Sequence, residues 1–286
     1  MKTSELILTG VASLLILQPL QAKRNKVTLE SALKKNLVKT CLQSKGGHSG
    51  FCVNMNIKNT SPDSLEVLIE AGRKLNSIDP TEQDLLVVKE ERVALNRGED
   101  KTVTLKSYCC QMSNHSPKPG SSYDLRAVWD TNLVKVARYL NNSNYNSSEE
   151  QEAVWAISEG RSAASVTGKD DSTTLQLRRF IASVKGEVLP WYTVSSHTRV
   201  QKSGEIVSRA IVLRGLLTCT ASVQQYAYMQ LLDEDGKIVA QVTGNWYYPG
   251  QNEQFVDLPL NGLVHGNYRL QIVSDKEVIL NQKIEI

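Results

Sequence analysis

The chain has 286 residues, 41% of them hydrophobic, with 33 Lys and Arg against 30 Asp and Glu and a formal charge of +3 at pH 7. That length suits two domains better than one and supplies enough apolar material for a normal core. A charge so small and so evenly mixed leaves no basic footprint for nucleic acid, and no polyanion partner is indicated.

The first stretch, MKTSELILTGVASLLILQPLQAK, has a basic start, an apolar run from Leu6 to Leu17 and a short exit ending at Ala22. That order is the one a secretory signal peptide takes, cut after residue 22. The run is short for a membrane anchor and no later segment is apolar enough to span a bilayer, so no transmembrane segment is expected in the mature chain. The expected location is secreted, periplasmic or cell surface. In an oxidising compartment the five cysteines, Cys41, Cys52, Cys109, Cys110 and Cys219, are free to form disulfides, and an odd count leaves one unpaired in a monomer. Cys41 and Cys52 bracket the flexible LQSKGGHSGF loop and are the candidate local disulfide. Four histidines, His48, His115, His197 and His265, lack ligand spacing to a cysteine pair, so neither a metal site nor a cofactor is expected.

Along the mature chain, VTLESALKKNLV places Leu29, Ala32, Leu33, Leu37 and Val38 for a short amphipathic helix. From Phe51 the period becomes two: CVNMNIKN puts Val53, Met55 and Ile57 on one side, and LEVLIEA, DLLVVKE, RVALNR and KTVTLKSYCCQM continue as short strands between Gly and Pro turns. If Cys109 and Cys110 lie in a strand, they face opposite sides. Residues 23–127 are therefore expected to form an immunoglobulin-like β-sandwich. Residues 128–187 change to three short helices. The first carries Leu133, Val134, Ala137 and Leu140; the second is SSEEQEAVWAISEG, with Ser147 or Ser148 as N-cap and Gly160 as stop; the third carries Leu175, Leu177, Phe180, Ile181 and Val184. Residues 188–286 return to alternation, with Asp235-Gly236 as a tight turn, and are expected to be a second sandwich. The fold class read from sequence is mainly β with a helical insert: two immunoglobulin-like sandwiches separated by a small helical region.

No Gly-x-Ser-x-Gly elbow, His-Glu-x-x-His pair or dinucleotide fingerprint occurs, so an ordinary hydrolase is unsupported unless its groups converge from distant loops. Aromatic residues concentrate in LPWYTV and NWYYPGQNEQF. Trp191, Trp246, Tyr247 and Tyr248 either form an exposed platform for glycan or protein, or divide between core and sheet face.

Gln151, Ala153, Val154 and Trp155 resemble the Q-x-A-[I/V]-W segment of thioester domains in bacterial surface adhesins. That resemblance implies an internal bond between the Gln151 carboxamide carbon and a cysteine thiol, with Tyr108-Cys109 matching the aromatic-Cys context and Cys110 as the second candidate. The other reading of Gln151 is a buried, hydrogen-bonded structural amide. At the C-terminus, DEDGKIVAQV, Gly266, Tyr268 and Leu270, then Lys283, Ile284 and Ile286 are similar to the last strands of immunoglobulin-like domains in exported Bacteroidota proteins, including type IX sorting domains, although the usual early Tyr-Pro-Asn-Pro-like opening is missing. The function expected is that of an exported envelope or surface protein with a non-catalytic binding role toward an envelope or extracellular protein or a glycan. The alternatives are a covalent adhesin using the Cys109–Gln151 thioester and a hydrolase whose site sequence does not reveal.

Overall fold

The computed structural model describes residues 24–125, 131–168 and 171–286. The expected signal peptide, residues 1–22, lies outside the described residues. Two β-rich regions are separated by a helical stretch.

The first region runs β1 (Asn25–Thr28), α1 (Leu29–Lys34), β2 (Val38–Lys45), β3 (Ser49–Asn59), β4 (Leu65–Ile69), β5 (Lys74–Ser77), β6 (Leu85–Val87), β7 (Glu91–Leu95), β8 (Asp100–Cys109) and β9 (Pro119–Leu125). Six strands close into a barrel in the order β2-β3-β8-β6-β5-β9, and β1-β4-β7 make a separate small sheet. Val53, Met55 and Ile57 point inward as their alternation predicts, and they share one buried core with Leu29 and Ala32 of α1 and with Leu65 and Val67 of β4. The helix and small sheet thus cap the barrel with apolar side chains.

This barrel corrects the immunoglobulin-like expectation. A sandwich keeps two sheets with free edges, whereas β9 here pairs with both β2 (Leu42↔Tyr123) and β5 (Leu75↔Leu125), and no edge remains. The disulfide expectation is corrected as well: all five cysteines are free. Cys41 pairs with Asn56, while Cys52 lies past the Ser44↔Val53 pair. The two are separated by roughly 13 Å along the strands at about 3.4 Å per residue, well outside bonding distance. Cys41 also faces solvent while Cys52 faces the core.

The helical stretch holds α2 (Thr131–Asn141), α3 (Ser147–Ser158), a 3-10 turn at Ala163–Ser165 and α4 (Asp171–Lys185). The N-cap of α3 is Asn146 rather than Ser147 or Ser148. Its side chain accepts from the Ser148 and Glu149 backbone N–H groups while Glu149 reaches back to the Asn146 N–H, a reciprocal capping box. Leu133, Val136, Ala137 and Leu140 of α2, Ala153 and Val154 of α3, and Leu177 and Ile181 of α4 bury together. Tyr108 and Cys110 from the outer side of the barrel wall complete that cluster, so the helices lie against the barrel.

The last region runs β10 (Tyr192–Val200), β11 (Ile206–Ala221), β12 (Gln225–Leu232), β13 (Ile238–Tyr247), β14 (Gly250–Leu263), β15 (Asn267–Val273) and β16 (Val278–Glu285). Sheets β10-β11-β14 and β13-β12-β15-β16 enclose a single core that also takes Ala164 from the 3-10 turn.

Candidate functional site: an aromatic sheet face and a buried glutamine

Strand β12 alternates strictly. Ala227, Met229 and Leu231 enter the core, and Tyr226, Tyr228 and Gln230 face outward. The register opposes Tyr226 to Trp246 of β13. Their rings meet edge to face with centroids 5.6 Å apart, and Tyr228 meets Tyr226 the same way at 5.4 Å. All three rings are exposed. Edge-to-face contact satisfies the quadrupoles of the rings and fixes their relative orientation. Gly244 makes room for this cluster, because a Cβ there would sit 2.5 Å from the Tyr226 ring.

Further along the same face the chemistry becomes polar. Gln230 donates from Nε2 to Gln271 Oε1 at 3.0 Å, and Gln271 donates to Asn281 Oδ1 at 3.4 Å. Next come the exposed, directly opposed Arg269 and Lys283, which flank a groove of about 340 Å³ walled by the Asp233–Asp235 turn. From Tyr226 to Leu232 the face extends about 20 Å at about 3.4 Å per residue. It therefore passes from rings through amides to charges over one sheet surface.

Of the four aromatics expected to form a platform, only Trp246 takes part in this cluster. Tyr248 is exposed in the following turn. Tyr247 is buried, its hydroxyl donating to Gln254. Trp191 is half-buried, donates from Nε1 to Gln282 at 3.2 Å and packs over Gly215, on the other sheet. Tyr226 and Tyr228 were not singled out by sequence, although the Tyr-x-Tyr alternation in β12 carries the signal.

Gln151 is buried and lies against Cys109. Its Nε2 donates to the Cys109 carbonyl at 2.9 Å, and its Oε1 accepts from the Cys109 N–H at 3.2 Å. This is where β3 begins: the Cys109 N–H also donates to the His48 carbonyl at 3.0 Å, and the carboxamide adds one peptide-like group to the pairing at that end. The expected pair is thus brought together, through the main chain of Cys109. The Cys109 thiol belongs to the barrel core, and burial raises its pKa well above the ordinary value, while burial pushes the Cys110 thiol up to about 12. Both thiols are therefore protonated at neutral pH. Trp155, one turn further along α3, is also fully buried, under the ring of His48.

A serine–histidine contact does occur, between Ser208 Oγ and His265 Nε2 at 3.1 Å. Activation of a serine requires an anion behind the imidazole to stabilise the charge it gains. Here the neighbour is the Arg161 guanidinium, 3.2 Å from Nε2 and itself paired with Glu152 at 2.8 Å. Burial and Arg161 hold the His265 pKa down to about 4, so this imidazole is a poor base. Among the described residues no group of three His, Cys, Asp or Glu side chains is placed to hold a metal ion.

No protein family matches the sequence, and no curated protein matches it. Among solved structures, a similar chain is DesR, a β-glucosidase from Streptomyces venezuelae in complex with D-glucose, at 11% identity and a TM-score of 0.16. The match covers 87% of this chain and 47% of that one, so this chain spans about half the length of DesR. A likeness at that level defines neither fold nor function.

Proposed function

We propose that this is an exported, non-catalytic binding protein that takes a glycan on the outer face of its β13-β12-β15-β16 sheet. The observation that carries the reading is the exposed edge-to-face cluster of Tyr226, Tyr228 and Trp246, continued by the Gln230–Gln271–Asn281 amide chain. Rings suit the apolar faces of sugars at little entropic cost, and amides suit their hydroxyls. Export is supported by the apolar Leu6–Leu17 run with its Ala22 exit. A glycan array followed by titration tests the reading. Trp246→Ala and Tyr226→Ala should each weaken a bound oligosaccharide about tenfold, a loss of about 1.4 kcal/mol, and leave the melting temperature nearly unchanged because both rings are exposed. Binding untouched by either variant, or a protein ligand on this face with no glycan bound, would overturn it.

The second reading, the internal thioester of a covalent adhesin, is supported by the meeting of Gln151 with Cys109 across the barrel–helix boundary. Its test is set out with the residue it concerns in the Discussion.

A further inference from the structure

A recess of about 530 Å³ lies where the barrel, α3 and β10 meet. Its size falls within the range of roughly 300–1,000 Å³ usual for small-molecule sites. Hydroxyls dominate its walls: Ser49 from β3, Ser147 and Ser148 from α3, and Ser196 and Thr198 from β10. The His48 ring lies nearly parallel to Trp155, 11° between planes with centroids 6.2 Å apart, and gives the recess an apolar floor. His48 is carried there by a loop whose Gly46, Gly47 and Gly50 have φ of 91°, 89° and 82°, values that side-chain-bearing residues avoid.

The β10 wall is built irregularly at the same place. The pairing of β10 with β11 slips between Ser195 and Ser196, which leaves the Ser196 hydroxyl buried without a partner. Bulges of this kind re-aim side chains and are common beside functional sites. Past the slip, the β10–β11 hairpin continues to the barrel, where the Ser116 N–H donates to the Gly204 carbonyl at 2.8 Å. The hairpin therefore forms one wall of the recess and is held at both ends.

The charges on the walls restrict the ligand. Among the described residues no Lys or Arg lines the recess, so an anion finds no counter-charge there. The one carboxylate among the described lining residues, Glu152, is already held by Arg161, so a cation gains little. Burial lowers the His48 pKa and keeps that imidazole neutral at pH 7. Ser148 and Thr198 already donate, to Asn146 Oδ1 at 2.6 Å and Ser208 Oγ at 3.0 Å, whereas the Ser196 hydroxyl has no partner, so a purely apolar ligand would leave it unpaired at a cost.

We propose that this recess binds a neutral, polyhydroxylated small molecule of the monosaccharide class, seated over the His48–Trp155 floor with its hydroxyls bonded to the serines and Thr198. It is a second site, independent of the aromatic face. The chain has four tryptophans, so the indole N–H of Trp155 can be assigned in a nitrogen–proton spectrum with Trp155→Phe. Glucose, galactose, mannose and N-acetylglucosamine are titrated, with glucuronate and glucosamine as charged counterparts. At least one neutral sugar should shift the Trp155 indole and His48 ring signals saturably and bind at least tenfold tighter than its charged counterpart. His197→Trp and Ser49→Trp, which fill the mouth from opposite walls, should each abolish that shift, whereas Trp246→Ala should leave it intact. Both filling variants are checked for an unchanged amide spectrum, and either one alone decides the matter if the other does not fold. The proposal is overturned if no neutral sugar shifts these signals at high millimolar concentration, if a charged counterpart binds as well, or if the shift follows Trp246 instead.

Discussion

Gln151 shows what a buried amide does when a strand runs out. With both amide atoms bonded to the main chain of Cys109, it ties α3 to the barrel wall. Gln151→Ala leaves the buried Cys109 carbonyl without this donor, while the N–H keeps its bond to the His48 carbonyl. The expected cost is about 2 kcal/mol, two hydrogen bonds at roughly 1 kcal/mol each, read as a lower urea midpoint. The covalent alternative separates cleanly by intact mass. A thioester makes the mature protein lighter by one ammonia, and methylamine then adds as a whole molecule, both effects vanishing in Gln151→Ala. Full mass with no methylamine adduct leaves the hydrogen-bonded role as the explanation of this glutamine.

At the scale of elements, Gly244 and β12 make one device. The ring of Tyr226 covers the backbone of β13 where Gly244 has no side chain. In Gly244→Ala the new Cβ would meet that ring at 2.5 Å and the Ala227 carbonyl at 2.9 Å. Overpacking of this kind costs about 1–3 kcal/mol. The variant should therefore melt earlier and bind the glycan of the aromatic face more weakly, since Tyr226 must tilt away from Trp246. Unchanged melting would show that the sheet relaxes at this point. Individual elements were legible where one face is clearly wet. Val53, Met55 and Ile57 against Asn54, Asn56 and Lys58 gave β3, and Leu133, Ala137 and Leu140 gave α2, because period alone distinguishes those states. The aromatic face was only half legible. In the run Trp246, Tyr247, Tyr248 sequence shows three rings, and only register, set by β12 across a bulge, decides that the middle one is buried. Barrel closure was not legible, because nothing local in Pro119–Leu125 says that it pairs with β2 and β5 rather than ending a sheet.

Across the whole molecule, the C-terminal unit meets the helices through Ala164, which enters its core, and through a polar chain from Glu152 by way of Arg161 to His265 and Ser208. His265 faces two cations, Arg161 from the segment after α3 and Arg209 from β11, with the Ile286 main chain as its favourable partner. Burial and these charges depress its folded pKa to about 4 from the ordinary 6.5. A neutral imidazole is thus the form the folded state prefers. The stability it contributes is fully present above about pH 6.5 and is lost progressively as pH falls through 4. Glu152, whose carboxyl burial pushes upward, acts in the opposite sense. The difference between wild type and His265→Gln isolates the histidine: the wild type should lose stability on acidification from pH 7 to 4 faster than the variant. Parallel curves would show that His265 titrates normally and that the junction is insensitive to acid.

The closed barrel also has a consequence in time. Its seam joins residues about eighty positions apart, Leu42 with Tyr123, and contacts so distant in sequence slow folding because the loop between them must be ordered first. During synthesis β2 and β5 exist long before β9. A nascent chain that has not yet reached Pro119 therefore presents two open strand edges, the surfaces that invite pairing between chains, and β9 is the segment that closes both at once.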